Sequence, residues 1–267
     1  MKTVAVIPAR FASRRFPGKA LVPIANEPLV ARVARAVLQS GRVDHVIVAT
    51  DDRRIGAAVA DLDVEVSLSH KPFRRGSDRV AATVAAHASA SRAEAIVNVQ
   101  GDEAFVDTDV LGRALEALDG ADIGTVGAPL SEREQNLHDV VKVCAAGGRA
   151  LWFGRGRTPG ELGPALAHVG VYAFTREALA RFAALPSSAP EVRCDLEQLR
   201  ALNAGMRIGV RAVRRPHRAI NTPEDLELVR RALVTGTWLD GRPVGGLARP
   251  SESSFSEAAK PPRGAAA

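Results

Sequence analysis

The chain has 267 residues, of which 46% are hydrophobic and 25% are charged, so its length and composition fit one large globular domain. It carries 36 Lys and Arg residues against 30 Asp and Glu residues, a formal net charge of +6. This modest excess is compatible with anionic small molecules or nucleic acid as partners. Aromatic residues make up only 4% of the chain, which is too few for a base-stacking surface.

Two further features of the composition restrict the class of protein. Cys144 and Cys194 are the only cysteines and have no CxxC spacing, which argues against a structural zinc site and favours free thiols in a reducing compartment. The amino-terminal apolar run "VAVI" is shorter than the hydrophobic region of a signal peptide, and no stretch reaches the length of a membrane span. We therefore expect a cytoplasmic protein with no membrane partner.

The first half of the chain alternates between β-rich and helical patterns. Strands are predicted at 3–7, 45–50, 64–69 and 95–100, and helices at 28–40, 51–62 and 77–88. Such alternation predicts βαβ units and a buried parallel sheet.

The order of elements is looser after residue 107. We predict strands near 121–128, 140–145, 149–153, 168–174 and 207–213, and helices near 107–118, 175–184 and 190–204. A last helix is expected to begin at Pro223, with Thr222 as its N-cap and the acidic Glu224 and Asp225 in its first turn.

A basic loop follows the first predicted strand. The stretch "IPARFASRRFPGKAL" (7–21) contains four cations, namely Arg10, Arg14, Arg15 and Lys19. Ligands of open α/β sheets bind at the carboxyl ends of the strands, which is where this loop lies.

The loop does not match the common phosphate-binding motifs. It is not a P-loop, because Ser13 stands where the first glycine is needed and Ala20 follows Lys19 where Ser or Thr should be. No GxGxxG follows a predicted strand either, so a nicotinamide dinucleotide site has no support. Side-chain cations that converge on one point would suit a triphosphate, and a solvated basic turn is the alternative interpretation.

Further motifs follow the basic loop in a fixed order. They are "IVATDD", "RRGSDRVA", "VNVQGDE", "LWFGR", "HVGVY", "LEQLR" and "NTPEDLE". Together with the loop, this order resembles the CMP-Kdo synthetases, the 3-deoxy-manno-octulosonate cytidylyltransferases, over about residues 3–233. The resemblance implies a Mg²⁺-dependent enzyme, a homodimer, that uses CTP and a small acidic acceptor and releases pyrophosphate.

The resemblance also implies the organisation of the chain. We expect an α/β protein with a Rossmann-like nucleotidyltransferase fold over residues 1–234, built on a mostly parallel central sheet. Residues 1–128 would form the CTP-binding half, 129–215 a smaller mixed-sheet lobe for the acceptor and the dimer contact, and 216–234 a closing helix. Residues 235–267 are rich in Gly, Pro, Ser and Ala, and we expect a disordered tail there.

By resemblance, the triphosphate of CTP would be bound by Arg10, Arg15 and Lys19. Fixed cations would stabilise the negative charge that develops on the departing pyrophosphate, so these residues are also predicted to be catalytic. Ala9 and Gln100 are assigned to the nucleotide as well. Arg14 falls at a variable position of the motif and is interpreted as a surface residue.

The segment "RGSDR" (75–79) corresponds to the family's cytosine-recognition segment. Ser77 and Arg79 would present polar atoms to the pyrimidine edge. A helix start is the alternative, with Ser77 as N-cap and Asp78 in the first turn. The two interpretations are compatible, because a helix N-terminus also offers free amides.

The resemblance places the magnesium ligands at Asp102 and Asn221. Asp102 is predicted to be catalytic through the metal, and one or two carboxylates suffice for Mg²⁺ when phosphates and water complete its shell. Asn221 stands where the family pattern has Asp. Its carbonyl oxygen can coordinate but brings no charge, so we expect weaker binding of Mg²⁺ before the nucleotide arrives. Asp225 is explained by helix capping instead.

The acceptor contacts of the family correspond to Arg155, His168, Tyr172, Glu197 and Gln198. An arginine would bind a carboxylate, and a Glu/Gln pair would bind hydroxyl groups. Without the resemblance, His168 and Tyr172 would be interpreted as strand or core residues and Glu197 as a solvated helix residue. After Arg155 the chain reads "GRTPGELGP", where the family has an Ile-Pro-Trp-Asp-Arg-like segment, which suggests a different or smaller acceptor.

Kdo is the default acceptor, and three alternatives stay open. The altered wall and Asn221 motivate a small phosphonate such as phosphonoformate as acceptor. A non-catalytic CTP-binding protein would bind CTP without releasing pyrophosphate. A nucleic-acid-binding protein would show an affinity that falls steeply with salt, but the cations follow the nucleotide motifs, so we expect no nucleic-acid partner.

Overall fold

The computed structural model describes residues 2–13, 15–214 and 218–237. Arg14 and most of the predicted tail, from residue 238 onward, lie outside the described residues. None of the helices within the described ranges has the length and apolar character that crossing a bilayer requires.

The elements follow one another as short strands and helices. The strands are β1 (Thr3–Ala9), β2 (Pro23–Ile24), β3 (Glu27–Pro28), β4 (His45–Thr50), β5 (Glu65–Leu68), β6 (Ala95–Val99), β7 (Ile123–Ala128), β8 (Lys142–Ala146), β9 (Arg149–Gly154), β10 (Ala165–Thr175) and β11 (Ile208–Ala212). The helices are α1 (Leu29–Gln39), α2 (Arg53–Ala57), α3 (Gly76–Ala86), α4 (Thr108–Glu116), α5 (Glu132–Gln135), α6 (Arg176–Ala184), α7 (Ala189–Cys194), α8 (Gln198–Asn203) and α9 (Pro223–Thr235), with short 3₁₀ turns at Lys19–Leu21 and Gly160–Leu162.

Nine of the strands form one sheet in the order β5-β4-β1-β6-β10-β7-β11-β9-β8. β5, β4, β1 and β6 are parallel, and β11 is parallel to β7. β10 runs antiparallel between β6 and β7, and the β8–β9 hairpin closes one edge. The predicted α/β class with a mostly parallel central sheet is confirmed, and the mixed strands continue the same sheet.

Helices cover both faces of this sheet, as the strand periodicity requires. Along β1, Ala5 and Ile7 point to a core shared with α1, α4 and α9, whereas Val4 and Val6 point to a core shared with α3, α6 and α8. All four side chains are fully buried, which explains why "TVAVI" is a continuous apolar run. Because helices cover both faces, the carboxyl ends of the parallel strands are the part of the sheet that is left accessible.

Most predicted elements are confirmed, but two predicted helices are wrong in extent. The helix expected at 190–204 is divided into α7 and α8, because Asp195 adopts a left-handed conformation with φ 52°. The helix expected at 51–62 ends at Ala57, and the chain continues in tight turns such as Val59 N–H to Gly56 O at 3.2 Å. The predicted start of α9 is confirmed, since Thr222 accepts from the backbone N–H of Asp225.

Candidate functional site

A pocket of about 750 Å³ lies at the carboxyl ends of β1 and β6, against β10 and the start of α3. All but one of the site residues predicted from the sequence line it. They are Ala9, Arg10, Arg15, Lys19, Arg79, Gln100, Asp102, Arg155, His168, Tyr172, Glu197, Gln198 and Asn221. The exception is Ser77.

An ion pair between Lys19 and Asp102 connects the basic loop to the residues that follow β6. Lys19 Nζ is 2.5 Å from Asp102 Oδ2 and donates a second hydrogen bond to Ile220 O at 3.1 Å. The backbone N–H of Ile220 in turn donates to Asp102 O at 3.0 Å. Three segments distant in sequence are thereby joined at one point, and the ammonium group is held in place before any ligand binds.

Asn221 lies beside this ion pair and contacts a second cation of the loop. Arg15 Nη2 donates to Asn221 Oδ1 at 2.8 Å. Asp225 is fully engaged elsewhere, since Oδ2 accepts from the backbone N–H of Asn221 at 2.9 Å and Oδ1 accepts from Arg218 Nε at 2.9 Å. Asp225 therefore caps α9, as expected, and it also lines the pocket.

The donor set of this corner fits a magnesium ion that depends on its substrate. No cluster of three or more His, Cys, Asp or Glu residues suited to a metal is present in the described part of the chain. Asp102 supplies one carboxylate and Asn221 one neutral oxygen, and both line the pocket. Mg²⁺ commonly uses one or two carboxylates with substrate phosphates and waters, so these residues fit the ion.

Arg79 forms part of the pocket wall near the start of α3. Its guanidinium donates to Asp51 Oδ2 at 3.2 Å and lies over the ring of Phe73, 4.9 Å from the ring centroid. Burial lowers the pKa of Arg79, Asp51 opposes that shift, and the neighbouring Arg10 adds to it. Arg79 and Arg10 are therefore close enough to repel each other, which favours an anion or an acceptor atom at this wall.

Ser77 lies inside α3 and not at its N-cap. The N-cap of α3 is Arg75, and Ser77 is the second helical residue. Ser77 is 1% exposed, and its Oγ donates to Glu197 Oε1 at 2.9 Å. The hydroxyl of Ser77 is thus engaged with Glu197, and its predicted contact with the pyrimidine stays a prediction. Asp78 does lie in the first turn, where it accepts from the backbone N–H of Arg75.

The residues predicted to bind the acceptor, which we call the acceptor group, are Arg155, His168, Tyr172, Glu197 and Gln198. The His168 ring packs edge-on against Phe153, with centroids 5.3 Å apart, and lies 5.1 Å from the ring of Tyr172. Burial raises the pKa of Tyr172 well above its usual range. This part of the pocket therefore combines an aromatic wall with polar atoms, as sugar-binding sites do.

The hydrogen bonds of Thr125 indicate the tautomer of His168. Thr125 Oγ1 donates its only proton to Val171 O at 2.8 Å and lies 3.0 Å from His168 Nε2. Nε2 must therefore carry a proton and donate to Thr125, which leaves Nδ1 as an acceptor in the neutral ring. Burial lowers the pKa of His168 from 6.5 to about 3, so the ring is neutral at physiological pH.

We expect His168→Gln to reduce the acid sensitivity of the fold. A histidine with a lowered pKa in the folded state stabilises the protein above its unfolded pKa of 6.5, and that stability is lost as the pH falls toward 3. Between pH 7 and pH 5 the wild type should lose up to about 2 kcal/mol of unfolding free energy that the variant does not lose. Urea unfolding at the two pH values measures this, with His45→Gln on the exposed start of β4 as control. Equal pH slopes for wild type and His168→Gln would contradict the prediction.

Arg155, which is predicted to bind the carboxylate of the acceptor, lines the pocket. Its Nη1 donates to the carbonyl oxygens of His138 and Asp139 at 3.2 and 3.3 Å. Burial lowers its pKa, and the nearby Arg15 lowers it further. Two guanidinium groups from different segments are thus held close together, an arrangement that a bound anion would stabilise.

Glu103 and Arg75 are two of the pocket-lining residues that were not predicted from the sequence. Glu103 is 4% exposed and its Oε1 accepts from the backbone N–H of Gly170 at 2.6 Å. Burial, with Asp102 beside it, raises the pKa of Glu103 to about 8. Glu103 directly follows Asp102 in the motif "QGDE", so the sequence could have indicated that it belongs to the site.

Arg75 is the second unpredicted residue. It lines the pocket and pairs with Glu191 at 3.3 Å and Asp195 at 2.5 Å. Arg75 is part of the motif "RRGSDRVA". Its carboxylate partners lie more than a hundred residues away in the sequence, so these ion pairs could not be predicted from neighbouring residues.

Comparisons with known proteins agree on the kind of chain this is. Residues 4–208 match a family model described as cytidylyltransferase. The 3-deoxy-manno-octulosonate cytidylyltransferase of Parvibaculum lavamentivorans is 43% identical over 237 residues, which cover 86% of this chain and 92% of that protein. The enzyme of the same name from Mesorhizobium japonicum is 40% identical over 241 residues, covering 87% of this chain and 99% of that protein.

Solved structures show the same relationship. A CMP:2-keto-3-deoxy-manno-octonic acid synthetase complexed with CTP is 32% identical, has a TM-score of 0.79 and covers 88% of this chain and 99% of its own. The 4-diphosphocytidyl-2C-methyl-D-erythritol synthase of Anaerococcus prevotii is only 14% identical, with a TM-score of 0.59 over 87% of this chain and 98% of its own, and shows the fold alone.

Proposed function

Because this chain belongs to the cytidylyltransferase family, and within it to the 3-deoxy-manno-octulosonate cytidylyltransferases, we propose that it transfers CMP from CTP to Kdo and releases pyrophosphate. The chain is a nucleotidyltransferase by membership of that family. The observation that carries the proposal is the pocket, which brings the loop cations Arg10, Arg15 and Lys19 together with the acceptor group. The relative solved with CTP supports the nucleotide assignment.

The loop cations are arranged to stabilise a leaving group. Lys19 and Arg15 are held by Asp102 and Asn221 before substrate binds, so both cations are already in the pocket where charge develops on the pyrophosphate. In the proposed reaction an acceptor oxygen loses its proton to water and forms a bond to the α-phosphorus of CTP. The bond from that phosphorus to the bridging oxygen breaks, and its electron pair leaves with pyrophosphate. Orientation of the two substrates in one pocket supplies the rest of the rate enhancement.

Mg²⁺ is the proposed cofactor, and Asp102 and Asn221 are the residues that would hold it. When bound, the ion would neutralise phosphate charge. The single carboxylate makes its affinity for the free protein weak, because Asn221 contributes no charge.

Asn221→Asp should increase the affinity for the metal. A second carboxylate at a partly exposed site adds on the order of 1.4 kcal/mol of attraction for a cation, or about tenfold in affinity. We expect Mn²⁺ binding to the free protein, followed by electron paramagnetic resonance, to tighten by about that factor. Asn203→Asp adds the same charge at the exposed end of α8, outside the pocket, and should change nothing. Unchanged Mn²⁺ binding in Asn221→Asp would contradict the assignment.

The relatives support Kdo as acceptor and give no support to the phosphonate alternative. The proximity of Arg15 and Arg155, together with the hydroxyl-binding groups Glu197 and Gln198, fits an acidic polyol better than a small acid without hydroxyl groups. Homodimer formation, the division at 128 and 215 and a cytoplasmic location stay predictions.

Pyrophosphate release from CTP and Mg²⁺ tests the proposal, with Kdo and phosphonoformate compared as acceptors. We expect rapid release with Kdo and none above background with phosphonoformate. Release with phosphonoformate alone would transfer the proposal to a phosphonate, and no release with either acceptor despite CTP binding would favour a non-catalytic protein.

A further inference from the structure

The hydroxyl of Ser77 links three elements of the fold. It lies at the start of α3, donates to Glu197 Oε1 at 2.9 Å, and lies 3.1 Å from Asn98 Nδ2 on β6. The backbone N–H of Ser77 adds a longer contact of 3.4 Å to Glu197 Oε2. Ser77 therefore contacts Glu197 with both of its donors.

The count of protons determines the direction of these bonds. The Ser77 hydroxyl has a single proton, and it donates that proton to Glu197 Oε1 at 2.9 Å. Ser77 Oγ then accepts from the amide of Asn98, which is fully buried. Asn98 Oδ1 has no hydrogen-bond partner among the described residues, whereas Nδ2 donates to Ser77 Oγ at 3.1 Å.

Glu197 has few other means of holding its position. It is the N-cap of α8, but its side chain makes no capping hydrogen bond to that helix. Its carboxylate lines the pocket near Tyr172 and Gln198, whereas Ser77 and Asn98 lie behind the wall. The lone pairs that Ser77 does not use are available to hydroxyl groups of a bound ligand.

We propose that Ser77 and Asn98 are positioning residues that hold the Glu197 carboxylate against the hydroxyl groups of the acceptor. This inference rests on the proposed function and deepens it, because it assigns part of the segment "RGSDR" to acceptor binding and not to the base of CTP. It also makes the acceptor a polyhydroxylated acid, since a ligand without hydroxyl groups would gain nothing from a carboxylate held in this way.

Ser77→Ala separates the two roles by their effects on the two substrates. We expect the KM for Kdo to rise about tenfold, the loss of one positioned hydrogen bond to a charged group, with the KM and Kd for CTP unchanged. Burial raises the pKa of Glu197, and the two donations from Ser77 oppose that rise. The acid limb of kcat/KM for Kdo should therefore move to higher pH in the variant, which a purely structural defect would not produce.

Two further variants complete the experiment. Ser40→Ala removes another buried serine hydroxyl, one that donates to Val37 O on α1 away from the pocket, and should leave both KM values unchanged. Glu197→Gln should raise the KM for Kdo by itself, and adding Ser77→Ala to it should have little further effect, because the two residues act as one unit.

The outcomes distinguish this inference from the function on which it rests. A rise in the KM for CTP with no change for Kdo would assign Ser77 to the nucleotide and overturn the inference. Unchanged kinetics in Ser77→Ala, or effects of Ser77→Ala and Glu197→Gln that simply add, would also overturn it. A wild-type protein that is inactive with Kdo would overturn the proposed function, and the inference with it.

Discussion

Asp102→Asn is expected to lower kcat by about 10³-fold with little change in stability, because it removes one charge from the centre of the pocket. Asp102 Oδ2 is the partner of Lys19 at 2.5 Å and the only charged oxygen that we assign to Mg²⁺. Asparagine has the same shape and can still accept from Lys19, so the fold should tolerate it. The rate of pyrophosphate release at saturating CTP and Kdo measures the loss, and thermal unfolding checks the fold.

The matched control is Asp109→Asn. Asp109 lies in the first turn of α4, seven positions along the chain, and pairs with Arg113 at 2.8 Å on the surface. It should keep kcat within a factor of two of the wild type, since an exposed ion pair contributes less than about 1 kcal/mol. A kcat for Asp102→Asn within tenfold of the wild type would contradict the role assigned to the carboxylate.

Glu191→Ala is expected to be the most destabilising single change outside the hydrophobic cores. Glu191 is fully buried on α7 and lies 3.2 Å from the Arg200 guanidinium and 3.3 Å from that of Arg75. Its removal leaves the buried Arg200 with a single carboxylate partner, Asp78 at 3.4 Å, besides the carbonyl oxygen of Leu185 at 3.3 Å. Removing one member of a buried ion pair costs about 3–5 kcal/mol, because the remaining charge is uncompensated.

Urea unfolding measures this loss of unfolding free energy, and two further variants serve as comparisons. Glu227→Ala removes a carboxylate whose pair with Arg230 is exposed on α9, and should change the unfolding free energy by about 0.5 kcal/mol or less. Glu191→Gln keeps hydrogen-bond acceptance without the charge and should lie between the two. A loss below about 1 kcal/mol in Glu191→Ala would mean that Arg75 and Arg200 find other partners.

Much of the fold could be predicted because it depends on local patterns. Four buried side chains in a row made β1 recognisable, and the Thr222-Pro223 start of α9 is a property of neighbouring residues. The break between α7 and α8 could not be predicted in this way. It depends on Asp195 in a left-handed conformation, whose carboxylate pairs with Arg75 across 120 positions of sequence.

The site shows the same division between local and distant information. Motifs identified many of the residues that line the pocket, because most of the motifs end a strand or begin a helix there, although "HVGVY" lies within β10. They did not show the direction in which a side chain points. Ser77 belongs to a motif assigned to cytosine, yet its hydroxyl faces Glu197 from behind the wall. That direction depends on contacts with Glu197 and Asn98, which are distant from Ser77 in sequence.

The most direct test of the account follows the α-phosphate itself. CTP labelled at the α-phosphate is incubated with the protein, Mg²⁺ and Kdo, and the products are separated by chromatography. We predict that the label appears in CMP–Kdo, with one pyrophosphate released for each labelled product and no label transferred when Kdo is omitted. Label that stays in CTP, or appears only as free CMP, would contradict the assignment of this pocket to cytidylyl transfer.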